Sequence, residues 1–170
     1  MGHEIGYHYK DFSLANGDWE LAIGNFEKKL AKLREIYPVT SMCMHGSPLS
    51  KYDNRLLWSK YQYRDYGILA DAYFDINFNE VFYLTDAGRS WNNRKVSVRD
   101  YVETHFDIPI RSIHDIFKLI ENGNLPDRVM LNIHPHNWSD NIFEWLTVWG
   151  WQSQKNVVKR MLIISRNKTS

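Results

Sequence analysis

The sequence is almost without cysteine, since Cys43 is the single one among 170 residues. One thiol excludes an intrachain disulfide and also a cysteine-rich zinc finger. A metal site in this chain would therefore be built from histidine and carboxylate side chains.

The chain also lacks an excess of charge of either sign. The 21 Lys and Arg residues face 20 Asp and Glu residues, which gives a formal net charge of +1 at pH 7. So weak a field does not draw a whole protein to nucleic acid or to an anionic membrane. We therefore expect neither as a partner.

Long apolar runs are missing as well. A bilayer crossing needs a run of about 18 apolar residues, and the sequence has none. The first residues, MGHE, have neither the basic segment nor the apolar segment of a secretory signal. We expect a protein of the cytoplasm.

Hydrophobic and aromatic residues are plentiful. Hydrophobic residues make up 44% of the chain and aromatic residues 15%, with seven Trp, ten Tyr and eight Phe. This is enough to bury a core, and because no linker or internal repeat interrupts the sequence, we expect a single domain over residues 1–170. The aromatic rings suit either core volume or stacking on sugar rings.

Periodicity predicts strands that alternate with helices. Apolar residues at three- and four-residue steps predict a helix over 18–37, which Pro38 ends. Short apolar or alternating runs predict strands over 3–9, 39–44, 81–84 and 128–133, and an extended segment over 72–78. Further helices are predicted over 54–61, 96–105, 112–121 and 156–165. Residues 85–94 are predicted to form a polar loop. A strand, a helix and a strand in that order indicate a parallel sheet.

Histidine occurs at or just past the end of three apolar strand segments. These residues are His8, His45 and the pair His134 and His136. Catalytic groups and ligands gather outside the carboxyl ends of parallel strands, so the pattern favours a divalent-metal or acid–base site. The alternative is that each histidine is a hydrogen-bonded structural residue, which is the interpretation we give to His105 and His114 on predicted helix surfaces.

Two other kinds of catalytic site, a zincin metal site and a cysteine nucleophile, do not fit the spacing or the context of these residues. A zincin helix needs histidines four residues apart, whereas His3 and His8 are five apart in an extended segment. Cys43 shares a strand face with His45, but it lies in an apolar run in which a buried thiol is ordinary.

Four segments carry a family resemblance. They are residues 2–9 (GHEIGYHY), 44–55 (MHGSPLSKYDNR), 81–86 (VFYLTD) and 132–135 (NIHP). Together they resemble the polysaccharide deacetylase family, the NodB-like carbohydrate esterases, in a divergent bacterial branch. The resemblance implies a (β/α) barrel of the seven-stranded type, with parallel strands and outer helices, that removes acetyl groups from sugars.

The resemblance also implies roles for particular residues. His8 matches the first histidine of the family's metal-binding motif, and His134 matches the late-strand histidine that serves as general acid. The metal would be a divalent cation such as zinc, and the partner an acetylated sugar or polysaccharide. We add His45 as a second metal ligand, and Asp53, Trp91, His136 and Trp138 as substrate-binding residues.

The sequence departs from the family pattern in two places. Phe12 stands where the second histidine of the metal motif belongs. The strand that carries the family's paired aspartates would precede residue 1, so we expect an incomplete barrel with exposed edges through which the chain can self-associate. Either a separate segment or a second copy completes the barrel, or the chain is truncated, which is the interpretation we favour. Asp11 and Asp53 are the nearby substitutes for the missing base, although both also suit turns.

These observations leave three functional hypotheses. The first is a metal-dependent sugar N- or O-deacetylase domain fragment. The second is a non-catalytic carbohydrate-binding or assembly protein derived from the same barrel. The third is a plain structural α/β domain, whose strand-end histidines would not come together.

Overall fold

The computed structural model describes residues 2–47, 50–87, 91, 102–135 and 139–167. The chain divides into two compact units, residues 1–76 and 77–170. Each unit contains a parallel sheet of its own. The single domain over 1–170 stays a prediction.

The first unit is built on three short parallel strands. These are β1 (Tyr7–Tyr9), β2 (Ser41–Met44) and β3 (Ala70–Asp71), in the order β1-β2-β3. Tyr7 lies opposite Met42 and Tyr9 lies opposite Met44. Strands over 3–9 and 39–44 were predicted, and the structure confirms them with later starts.

Two helices connect β1 to β2. The short helix α1 (Asp11–Leu14) follows β1, and α2 (Trp19–Arg34) buries the apolar stripe of Ala22, Ile23, Phe26 and Leu30. The side chain of Asp18 accepts a hydrogen bond from the backbone N–H of Leu21 at 3.0 Å and so caps α2. The predicted helix is confirmed, and it ends before residue 37.

Arg34, the last residue of α2, holds the chain segments around it. Its Nε donates to the carbonyl of Val39 at 2.9 Å, and its two Nη atoms donate to the carbonyls of Tyr66 at 2.8 Å and Gly67 at 2.9 Å. Gly67 has a φ of 70°, a conformation that glycine adopts without strain. One guanidinium therefore binds three backbone carbonyls.

The core of the first unit lies on one face of its sheet. Because side chains alternate along a strand, Tyr7 and Tyr9 point to the same face, where both contact Phe26 of α2. His8 lies between them on β1 and is exposed. The sheet thus separates a buried aromatic face from the face that carries His8.

The second half of the segment between β2 and β3 contains short helical turns. A 3₁₀ turn (Asn54–Leu56), helix α3 (Leu57–Lys60) and a second 3₁₀ turn (Tyr63–Tyr66) follow one another. The short helix predicted over 54–61 is confirmed in this form.

The extended segment predicted over 72–78 is wrong. The Asp71 side chain accepts the backbone N–H groups of Tyr73 at 2.7 Å and Phe74 at 3.0 Å, which turns the chain directly after β3. An aspartate that bonds the backbone two and three residues ahead competes with strand pairing.

The described residues of the second unit include two parallel strands and two helices. β4 (Phe82–Thr85) pairs with β5 (Val129–Asn132), and helix α4 (Ile113–Glu121) lies between them in the sequence. Phe82, Leu84, Ile110 and Ile116 form its core. Both strands and α4 confirm the sequence prediction.

The helix predicted over 96–105 is wrong in the part that the structure describes, since residues 102–105 are not helical. The Thr104 hydroxyl donates to the Phe78 carbonyl at 2.6 Å and accepts from the Phe106 N–H at 3.2 Å, which fixes an irregular turn. Residues 96–101 lie outside the described residues, as do 88–90 and 92–94 of the predicted loop, and Thr85 belongs to β4.

The last helix, α5 (Ile142–Asn167), is much longer than the predicted 156–165. It begins beside Asn141, whose side-chain oxygen accepts the backbone N–H of Phe143 at 2.9 Å. Trp145 and Trp149 stack one turn apart, with ring centroids 6.4 Å apart and planes 6° apart. Aromatic residues and Gly150 weaken the sequence signal for a helix, which explains why its first half was not predicted.

The fold is mixed α/β with parallel strands. In the part of the chain that the structure describes, the strands form one sheet of three and one of two, without a closed barrel. The incomplete barrel of the deacetylase type stays a prediction. Within the same residues, none of the helices combines the length and the apolar character that a membrane crossing requires.

Candidate functional site

The second unit brings an aspartate and a histidine together at the edge of its sheet. Asp86 directly follows β4 and His134 lies just beyond β5, so both occupy the carboxyl edge of two paired parallel strands. Oδ1 of Asp86 is 2.6 Å from Nδ1 of His134. The backbone N–H of His134 also donates to Oδ1 at 3.0 Å and to Oδ2 at 3.2 Å, so the carboxylate binds both the ring and its backbone.

Burial is uneven across this pair. The Asp86 side chain is 9% exposed, whereas the His134 side chain is 32% exposed. An ionised carboxylate only accepts hydrogen bonds, so Nδ1 of His134 carries the proton and Nε2 carries the lone pair. A buried carboxylate that orients a more exposed imidazole is the arrangement from which histidine acts as a general acid or base.

Neighbouring contacts fix the strand ends that present the pair. The Asn132 amide donates to the Tyr83 hydroxyl at 2.9 Å across the two strands. The backbone N–H of Asp86 donates to the Asn132 carbonyl at 3.3 Å, which extends the ladder by one residue. Because both strands are held beyond their last pair, Asp86 and His134 sit on a supported edge.

The sequence predicted His134 as a chemical residue but did not identify Asp86 as its partner. Asp86 lay within a motif segment without an assigned role. Its position in the sequence could have identified Asp86 as the partner, because Asp86 and His134 each follow a predicted strand. The carboxyl ends of paired parallel strands lie next to each other.

The first unit brings His8 and His45 together. Their ring centroids are 5.1 Å apart and their planes are inclined by 58°. His8 belongs to β1, and His45 directly follows β2, where its backbone N–H donates to the Tyr9 carbonyl at 2.8 Å. The predicted neighbourhood of these two histidines is therefore present in the structure.

The two imidazoles have opposite tautomers. Nδ1 of His8 lies 3.2 Å from the Cys43 carbonyl, which only accepts, so Nδ1 carries the proton and Nε2 the lone pair. Nδ1 of His45 instead accepts the backbone N–H of Ser47 at 3.1 Å, so in the neutral ring the proton is on Nε2. In these tautomers Nε2 of His8 is the acceptor of its ring, whereas Nε2 of His45 is a donor. The roles of both residues as metal ligands stay predictions.

A polar network holds the loop after β2. The buried Asn54 donates to the His45 carbonyl at 2.8 Å and accepts the Ser13 N–H at 2.8 Å. The Ser47 hydroxyl lies 3.1 Å from the Ser13 hydroxyl, and Ser47 has a positive φ of 36°. This network keeps Nδ1 of His45 occupied, because Ser47 is fixed where its N–H points at the ring.

The described residues do not complete the zinc site that the resemblance implies. Phe12, at the position of the second motif histidine, is 3% exposed and packs against Trp19 in the core. In the described ranges, three His, Cys, Asp or Glu side chains do not gather in the way a metal ion needs. The divalent metal stays a prediction.

The two candidate bases have structural partners. Asp11 is fully buried, accepts the Tyr7 hydroxyl at 2.8 Å and pairs with Lys29 at 2.6 Å. Asp53 caps the turn that follows it by accepting the Arg55 N–H at 3.0 Å, and it also pairs with the Arg55 guanidinium at 2.7 Å. Asp53 lines a cavity, whereas Asp11 lies in the core.

The remaining predicted substrate residues belong to the second unit. Trp91 is partly buried and packs against the core that contains Phe82 and Leu84. His136 and Trp138 lie outside the described residues. Their roles stay predictions.

Comparison with family models, with curated proteins and with solved structures gives no match for this chain. The resemblance to polysaccharide deacetylases therefore rests on the motif residues alone. Of those residues, His8, His45, Asp86 and His134 all lie at or near carboxyl ends of parallel strands.

Proposed function

We propose that this chain is a carbohydrate deacetylase domain in which His134 transfers protons and Asp86 positions it. The observation that carries the proposal is the 2.6 Å contact between Asp86 Oδ1 and His134 Nδ1 at the carboxyl edge of two parallel strands. We place its action in the cytoplasm, on an acetylated sugar or polysaccharide.

In the proposed reaction one histidine acts first as the general base and then as the general acid. Nε2 of His134 takes a proton from water as the water oxygen adds to the acetyl carbonyl. The imidazolium then gives that proton to the sugar nitrogen or oxygen as the C–N or C–O bond breaks, which leaves acetate and the free sugar. Asp86 stabilises the imidazolium between these two steps.

By the resemblance, His8 and further ligands would hold a divalent metal, and the chemistry that such a metal supplies when bound is the polarisation of a carbonyl group. The steps above are assigned to His134 and Asp86 alone, because the described residues offer an incomplete ligand set. Assays with and without added zinc salt separate the two contributions.

Acetate release tests the proposal directly. The substrates are N-acetylglucosamine oligomers and 4-nitrophenyl acetate, each assayed with and without zinc chloride. We expect His134→Gln to lower the rate by about 10²- to 10⁴-fold, the usual contribution of a general acid–base group. We expect Asp86→Asn to lower it by about 10²-fold or more and to shift its pH profile, because the tautomer of His134 is no longer fixed.

The matched control is His114→Gln, which removes an exposed histidine from α4. It should leave the rate unchanged. A His134→Gln variant as fast as the unaltered protein, or an absence of acetate release under both metal conditions, would contradict the proposal.

The alternative function is carbohydrate binding without catalysis. Phe12 in the core favours it, because a phenylalanine there removes a metal ligand while adding core volume. This alternative predicts that N-acetylglucosamine oligomers bind with no release of acetate. A binding measurement by calorimetry beside the acetate assay distinguishes the two functions.

A further inference from the structure

The first unit contains a cavity of about 560 Å³. This volume is within the range of about 300 to 1,000 Å³ in which small molecules are bound by proteins. Three aromatic side chains line the cavity, those of Trp58, Tyr63 and Phe74, and two charged side chains line it as well, those of Asp53 and Arg55. The chemistry of these groups determines which ligand the cavity can take.

The aromatic part of the lining is partly open to water. Tyr63 and Phe74 stack with ring centroids 6.2 Å apart and planes 12° apart, and Trp58 meets Tyr63 edge to face with centroids 5.7 Å apart. Phe74 is nevertheless 46% exposed, and Leu56, which also lines the cavity, is 50% exposed. A ligand that covers these two side chains removes apolar surface from water, and a flat ring suits the face of a phenyl group.

The guanidinium of Arg55 is held along one edge. Nε lies 3.2 Å from Oδ1 and 3.3 Å from Oδ2 of Asp53, and Nη2 lies 2.7 Å from Oδ2. Within the described residues these contacts account for the hydrogen bonds of the Arg55 side chain. A guanidinium carries five N–H groups in one plane, so the edge formed by Nη1 and the second N–H of Nη2 is left to bind another group.

The charged pair presents donors to the cavity more than acceptors. The Arg55 side chain is 37% exposed, whereas that of Asp53 is 13% exposed. Hydrogen bonding to Asp53 raises the pKa of Arg55, so the guanidinium stays charged. Asp53 also fixes the plane of the guanidinium before a ligand arrives, which reduces the entropy lost on binding. The matching ligand group is one that accepts two parallel N–H bonds.

A carboxylate accepts such a pair of bonds, and its negative charge strengthens both. We propose that this cavity binds a small aromatic carboxylate, whose ring covers Phe74 and Leu56 and whose carboxylate accepts hydrogen bonds from Nη1 and Nη2 of Arg55. A cationic ligand would be repelled by Arg55, and an aliphatic acid would lack the ring. Asp53 acts in this site as a positioning residue, through Arg55.

This binding site goes beyond the proposed chemistry. The cavity is lined by residues of the first unit, whereas His134 and Asp86 belong to the second. An aromatic carboxylate is neither the acetylated sugar nor the acetate of the proposed reaction. Binding can be measured without turnover, so its failure would leave the deacetylase proposal standing.

Calorimetric titration of the full chain at pH 7 tests the proposal. The probes are phenylacetate and indole-3-acetate, and the comparison compounds are benzyl alcohol, benzylamine and acetate at the same ionic strength. We expect at least one aromatic carboxylate to bind with a dissociation constant of about 1 mM or tighter, and each comparison compound to bind at least about tenfold more weakly. Failure of both aromatic carboxylates to bind, or equally tight binding of the alcohol or the amine, would overturn the proposal.

Arg55→Gln tests the residue that selects the carboxylate. It should weaken binding at least about tenfold, because a hydrogen bond to a charged group contributes about 1.5 to 3 kcal/mol. Arg64→Gln is the matched control, since Arg64 also pairs with an aspartate, Asp75, at 2.7 Å but does not line the cavity. The control should leave the dissociation constant unchanged. Equal losses in the two variants would show that overall charge alone attracts the anion, and unaltered binding by Arg55→Gln would equally contradict the proposed contact.

Phe74→Ala tests the ring contact and does not depend on the Asp53 turn. Phe74 is partly exposed, so we expect the variant to fold, which circular dichroism verifies. Binding of the aromatic carboxylate should weaken about fivefold or more, because the ring contact and its apolar area are lost. Ile36→Ala, at an apolar residue that is 87% exposed and does not line the cavity, should bind as the unaltered protein does. A folded Phe74→Ala variant with undiminished binding would place the ligand elsewhere and refute the proposal.

Discussion

Asp71 makes the stability of the first unit depend on pH. Burial raises the pKa of this carboxyl above its ordinary value of 3.8, against the opposing effect of backbone hydrogen bonds. The folded chain therefore keeps this proton to a higher pH than the unfolded chain does. As pH rises above about 3.8, the unfolded chain releases its proton first and Asp71 subtracts stability.

We expect Asp71→Asn to remove this dependence. Asparagine keeps the oxygen that accepts the N–H groups of Tyr73 and Phe74. The unfolding midpoint of the variant minus that of the unaltered protein should therefore increase as pH rises from about 3 to 7. Thermal unfolding followed by circular dichroism across this range measures the difference.

Asp115→Asn is the control of opposite sign. Hydrogen bonds from the backbone of Arg111, and then of Ser112, lower the pKa of Asp115 below 3.8, so its carboxylate adds stability as pH rises toward that value. The unfolding midpoint of Asp115→Asn minus that of the unaltered protein should therefore decrease as pH rises over the same range. A flat difference for Asp71→Asn would show that its carboxylate is not a cost to the fold.

For individual residues, the sequence predicted which residues lie at the candidate sites better than it predicted the contacts between them. His8, His45 and His134 were predicted as site residues from their places after apolar runs, and each lies at or near a strand end. The contact between Asp86 and His134 was missed, although the position of Asp86 directly after a strand was a usable signal. The hydrogen bond from the Ser47 N–H to His45 depends on loop geometry that one sequence does not specify.

The helices show where local signals suffice. For α2, a capping aspartate, a continuous apolar stripe and a following proline all agreed, and the helix was predicted closely. For α5, only the second half had a clear pattern, so the helix was predicted too short. The turn after β3 was missed because Asp71 bonds the backbone ahead of it, which no periodicity reveals.

The Asp18 cap gives a prediction for α2. Asp18→Ala leaves the Leu21 N–H without its acceptor and should lower the free energy of unfolding by about 1 kcal/mol. Asp18→Asn keeps an acceptor oxygen and should lose only a small part of that. Urea unfolding of the three proteins measures the series, and equal losses in both variants would argue that charge, rather than the cap, is responsible.

The molecule as a whole has a strongly apolar exposed surface on α5. Phe143 is 77% exposed, Trp151 62% and Met161 64%. Large contiguous apolar surface promotes association in water. We expect the sedimentation coefficient to rise with protein concentration.

Charged substitutions test this expectation. A Phe143→Glu, Trp151→Glu, Met161→Glu triple variant should sediment as a monomer over the same concentrations. Leu69→Glu, at an apolar residue that is 70% exposed in the first unit, is the control and should not change association. A concentration-independent monomer of the unaltered chain would contradict the expectation.

The parallel arrangement of strands could be predicted, because strand, helix and strand in series lead to it with few exceptions. The division into two units could not. Which side chains pack together along a chain is not visible in local patterns, and the sequence between 72 and 81 resembles an extended segment. Barrel closure requires strands from the whole chain, and local patterns carry no information about it.

The alternation of β1 has a consequence for how this protein can change over evolution. Tyr7 and Tyr9 hold the core, while His8 between them is exposed on the other face. A substitution at His8 should therefore cost little stability, whereas large changes at its immediate neighbours should cost much more. Over evolution the exposed position of this strand is free to vary while the two buried positions stay aromatic.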